Sequence, residues 1–145
     1  MTLLLVIHFA VTWALVGLIW TIQAVHYPLF RDVGHDGFSA YHERHVALIT
    51  LVVGPLMLGE AGSAAWLFLL GERSVLFGIS LGALVVIWGS TWFFQMPLHE
   101  KLMLGWDAPC IRRLVRTNYW RTLGWTIRGL CVGALVVSRF AQGGL

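Results

Sequence analysis

The sequence predicts an all-α fold: an integral membrane bundle of four helices, arranged as two parallel-repeated helical hairpins. Three observations carry this expectation. Of the 145 residues, 58% are hydrophobic and 12% are charged, more apolar surface than a soluble domain of this size can hide. Four stretches reach the roughly 20 apolar residues that a bilayer-crossing helix needs. Most of the charged residues fall between those stretches. Residues 1–145 therefore read as a single transmembrane domain.

The first span, residues 3–27, has no basic stretch before it and no small-residue cleavage site, so it reads as a retained helix and not as a leader. The second, residues 46–70, contains Pro55, which predicts a bend with room for a cavity beside it. A tight turn at Gly71-Glu72-Arg73-Ser74 leads into the third, residues 75–96, and the fourth covers residues 123–140. Gly78-x-x-x-Gly82 and Gly129-x-x-x-Gly133 have the spacing that lets helix backbones approach, within the bundle or in a homo-oligomer. Cys110 and Cys131 form no CxxC pair, which argues against thiol redox chemistry.

The first and third connections, expected over residues 28–41 and 97–118, are long, and long connections in a compact protein are disproportionately functional. They carry Arg31, Arg44, Lys101, Arg112, Arg113, Arg116 and Arg121, against Arg73 and Arg139 at the opposite end. Retention of basic residues on the cytoplasmic side predicts an inner-membrane protein with both termini outside the cytoplasm. The same charge suits a lipid bilayer with anionic headgroups. No nucleic-acid-binding pattern accompanies it.

A faint repeat links the two halves. Trp20-Thr-Ile-Gln23 precedes Pro28-Leu29, and Trp92-Phe-Phe-Gln95 precedes Pro97-Leu98. In that frame Gln23 and Gln95 are pseudo-symmetric mates facing one interior. Two such amides suit the polar group of a lipophilic molecule, or serve as glue between helices.

Five of the six histidines, His26, His35, His42, His45 and His99, fall at the end with the long connections. His42 and His45 share one helix face by their spacing, while His26 and His99 arrive on two other helices. Imidazole is a common ligand of iron and heme, and bundle cores assemble such sites from facing helices. The expected metal ligands are His26, His45 and His99, with His42 in reserve. An interfacial histidine also sits at headgroup depth simply because it is amphipathic, which explains His35 in its loop; His8 reads as a packing residue. Gln23, Gln95, Asn118, Arg121 and Arg128 are expected to position a substrate or propionate-like groups. Arg128 would snorkel towards that end. Glu60 lies too deep for it and reads as a neutral or proton-carrying carboxyl, able to form a salt bridge with Arg128 only if helix tilt closes the gap.

The segments His26-Tyr-Pro-Leu-Phe30, Tyr41-His-x-x-His45, Gln95-Met-Pro-Leu-His99-x-x-Leu102 and Thr117-Asn-Tyr-Trp-Arg-Thr122 with Trp125-x-x-Arg128 resemble a family of small bacterial four-helix integral membrane proteins. More distantly, the four spans with their Pro-Leu-polar and Asn-x-x-Arg elements look like the anthrone-oxygenase-like family. That second resemblance implies oxidation of a polycyclic aromatic substrate, and His26 and the paired histidines have no counterpart in it. The residues and the resemblance together predict a metal- or heme-dependent oxidoreductase acting on a lipophilic small molecule at the cytoplasmic side. The alternatives are a proton- or anion-coupled transporter and a non-catalytic subunit of a membrane complex.

Overall fold

A computed structural model of the chain describes residues 2–143 and contains four long helices: α1 (Thr2–Leu29), α2 (Phe38–Leu69), α3 (Val75–Met103) and α4 (Ala108–Ala141). Each is long and apolar enough to cross a membrane, which makes the chain a multi-pass membrane protein. Met1, Gly144 and Leu145 of the expected domain lie outside the described residues.

The helices outrun the spans predicted for them. Helix α2 starts at Phe38 instead of residue 46, and α4 at Ala108 instead of residue 123. The long connections shrink accordingly, to residues 30–37 and 104–107. Hydropathy measures the thickness of the hydrocarbon, whereas backbone hydrogen bonding continues into the headgroup layer wherever charged side chains have water to face. Arg112, Arg113 and Arg116 do so from the exposed side of α4.

Local chemistry sets the helix starts. Gly37, in the left-handed region at φ 82°, turns the chain into α2. Asp107 caps α4 by accepting from the Cys110 N–H at 2.9 Å and pairs with Lys101 at 2.7 Å. The Lys101 ammonium and that N–H hold the Asp107 carboxyl below its usual range. At the other end Ser74 caps α3, accepting from the Phe77 N–H at 3.3 Å. The Glu72 carboxylate accepts from Ser74 N–H and from the Arg139 guanidinium, which ties this turn to the end of α4.

Helix α4 packs most extensively against α3 and next against α1; α2 packs against α1 and against the Met96–Met103 end of α3. The order around the bundle is therefore α2, α1, α4, α3. Close approach is built on α4: a Cβ on Gly124 would lie 2.8 Å from Ile87, and one on Gly129 would lie 2.9 Å from Val16. The predicted role of Gly78 and Gly82 is not realised within the chain. Both are exposed, with nothing within 4 Å of a Cβ placed there.

Two wide π-helical turns interrupt α1 and α3, over Ile22–His26 and Thr91–Gln95. Their cause is proline, which lacks an N–H and whose ring clashes with the carbonyl four residues back. Pro28 and Pro97 each follow two residues after a π-turn. The chain widens so that Tyr27 N–H reaches Ile22 O and Met96 N–H reaches Thr91 O, five residues back. Alignment of the two halves on these turns differs from alignment on the Trp-x-x-Gln segments. His26 and Gln95 each close a π-turn, while Gln23 lies second in its turn.

Candidate functional site

Three helices deliver four imidazoles to one buried place. His26 closes the π-turn of α1, His42 and His45 occupy one face of the first turns of α2, and His99 lies two residues beyond Pro97 on α3. His26 Nε2 pairs with His45 Nδ1 at 2.8 Å, and His99 Nδ1 with His42 Nε2 at 3.1 Å. The His26–His45, His42–His99, His42–His45 and His45–His99 ring centroids are 4.5, 5.1, 5.8 and 5.8 Å apart. Phe30 and Phe38 wall the cluster, with Phe38 stacked on His42.

His42, expected only as a reserve, is fully buried at the centre of this cluster and belongs to it as much as the other three. His35 stays outside and packs on Trp106, with centroids 4.1 Å apart. Two buried ring nitrogens, His42 Nδ1 and His45 Nε2, have no hydrogen-bond partner. Buried polar atoms are normally paired, so the cluster does not satisfy itself. Among the described residues, no group of three or more His, Cys, Asp or Glu side chains is placed so that it could hold a metal ion.

Tyr27, which the sequence reading passed over, joins the cluster through its hydroxyl, 2.8 Å from His99 Nε2. Its neighbour His26 marked the position, but the inward direction of both side chains depends on the π-turn. Tyr27 and His99 also line a cavity of about 350 Å³ between α2 and α3. Val46, Ile49 and Val53 of α2 and Met96 and Met103 of α3 form its apolar walls, and Gln95 and Arg121 add polar groups. A second groove, between α1 and α2, reaches His26 and His45 beside Tyr41 and Arg44.

The polar residues expected around the site divide into three groups. Gln95 and Arg121 face the cavity. Gln23 and Asn118 satisfy each other: Asn118 Nδ2 donates to Gln23 Oε1 at 3.0 Å, and Gln23 Nε2 donates to the Val115 carbonyl at 3.2 Å. Asn118 Oδ1 in turn accepts from Arg121 Nη1 at 3.2 Å, so this pair joins α1 to α4 and holds Arg121 in place. Gln23 and Gln95 therefore do not share one interior.

Arg128 departs furthest from expectation. It forms a fully buried ion pair with Glu60 and donates to the Ser80 carbonyl at 2.6 Å and hydroxyl at 2.7 Å, away from Gln95 and Asn118. Thr12 donates to Glu60 Oε1 at 3.1 Å, and His8 Nδ1 pairs with the Ser63 hydroxyl at 2.8 Å. All four helices thus meet in a second polar layer. Arg128 gains a partner carboxylate there, which snorkelling along α4 would forfeit.

Comparison with known protein families, with curated proteins and with solved structures finds no match to this chain.

Proposed function

We propose that the chain is a metal-dependent oxidoreductase of a bacterial inner membrane, with both termini outside the cytoplasm, acting on a lipophilic molecule held between α2 and α3. The observation that carries this reading is the four-histidine cluster with two unpartnered nitrogens, set against an apolar cavity through His99 and Tyr27. An all-imidazole donor set suits first-row ions such as iron and copper. The His26–His45 and His42–His99 nitrogens lie 2.8 and 3.1 Å apart as hydrogen-bonded pairs, and an ion would have to replace the hydrogen bond of one pair to bind there.

Iron without a porphyrin fits better than heme. His26 pairs directly with His45 and His42 with His99, which leaves no gap between the paired rings for a porphyrin. The ion would supply one-electron chemistry; His42 and His99 would hold it, and the apolar cavity walls would keep water from the reacting end. The transport reading loses its free carboxyl, because Glu60 is paired with Arg128.

Metal analysis and an absorption spectrum of the detergent-purified protein test the proposal. Stoichiometric iron or copper is expected, lost in His42→Ala and in His99→Ala and retained in His35→Ala. Wild-type protein without stoichiometric metal, or full retention in the two cluster variants, overturns it.

A further inference from the structure

Two residues that line the cavity between α2 and α3 each carry an unsatisfied buried atom, of opposite kind. Gln95 Oε1 is an acceptor and Arg121 Nε a donor, and both are buried without a hydrogen-bond partner. Gln95 is 2% exposed and Arg121 6%. The Gln95 amide orientation follows from Thr117. That hydroxyl already donates to the Arg113 carbonyl at 2.8 Å, so it accepts from Gln95 Nε2 at 3.0 Å and leaves Oε1 unpaired. Arg121 is held by Asn118 and forms no salt bridge with any described residue.

Leaving a donor and an acceptor buried and unpaired is costly, and a ligand offering the complementary pair removes the cost. Gln95 is anchored at Thr117, and Arg121 lies one helical turn further along α4. A carboxylate offers acceptors only and leaves Gln95 Oε1 unpaired. A ring bearing a hydroxyl and a second oxygen offers a donor for Gln95 and an acceptor for Arg121. The remaining lining is mostly apolar, with Ile22, Ile49 and Val53 among it beside Thr50, Thr91 and Glu100, and suits a largely apolar body.

We infer that the cavity binds a lipophilic quinol or quinone, a ring hydroxyl donating to Gln95 Oε1 and the oxygen across the ring accepting from Arg121 Nε. The inference rests on the oxidoreductase reading for its purpose and names the chemical class of that site's occupant. Both redox forms fit Arg121, whereas only the quinol has a hydroxyl for Gln95.

Calorimetric titration of a short-tailed benzoquinone and its anaerobic quinol into the full chain in lipid nanodiscs tests this. Gln95→Met, close to isosteric, is expected to weaken quinol binding about tenfold while leaving quinone binding within about threefold. Arg121→Gln is expected to weaken both forms about tenfold. Melting temperatures of both variants establish that they fold. Unchanged binding of both forms in the folded variants overturns the inference, as does displacement of the quinone by palmitate at equal concentration. Metal content of the same discs separates the two proposals: failed quinol binding with metal retained sinks only this inference, and quinol binding without metal sinks only the oxidoreductase reading.

Discussion

Glu60 and Arg128 are each fully buried, and among the described residues neither has a second residue of opposite fixed charge beside it. Removing one partner leaves the other charge uncompensated, at a cost of about 3–5 kcal/mol. Glu60→Leu should therefore destabilise strongly, and the double variant Glu60→Leu/Arg128→Leu should recover much of the loss; unfolding in graded denaturing detergent measures both. Glu72 offers a milder test. Burial pushes its carboxyl up, but hydrogen bonds from Ser74 and Arg139 outweigh it and hold it below the usual range. A depressed folded-state value means stability that is whole above the unfolded value and lost as the pH falls through the folded one. The melting temperature should thus drop in acid, and Glu72→Gln should flatten that part of the profile.

Among the helices, α4 is the one that others approach closely. A side chain on Gly124 collides with Ile87 at 2.8 Å, so Gly124→Val should cost about 1–3 kcal/mol by overpacking. Gly78→Val meets nothing and should leave the melting temperature near wild type. A fall for Gly78→Val equal to that for Gly124→Val would contradict the packing described. The sequence made the four helices and the histidine end legible, because lipid thickness and imidazole chemistry both leave marks on residue type. It concealed three things. Helix ends beyond the hydrocarbon carry no hydropathy signal, and Gly-x-x-x-Gly spacing does not say which neighbour, if any, it faces. The pairing of Glu60 with Arg128 depends on helix depth and tilt, which no local pattern encodes. The π-turns were within reach, since Pro28 and Pro97 stand in the chain; what hid them was taking Trp-x-x-Gln as the frame of the repeat.

At the scale of the whole molecule, the two polar layers divide the labour. The Glu60–Arg128 layer joins all four helices, and the histidine layer sits where α2 and α3 leave a cavity between them. Filling that cavity should separate binding from assembly. Val53→Trp is expected to abolish ligand binding while keeping metal content and melting temperature close to wild type. Calorimetry, metal analysis and a thermal melt on one preparation check all three.

The cavity is walled by α2 and α3 and backed by α1 and α4, and exposed faces of α2 and α3 are apolar. A lipophilic ligand of the kind proposed would come to it sideways out of the lipid. Its occupancy would then follow the mole fraction dissolved in the bilayer and not the concentration in water. A dissociation constant expressed per volume of buffer will shift with every change in the amount of lipid or detergent, whereas one expressed per lipid will hold steady.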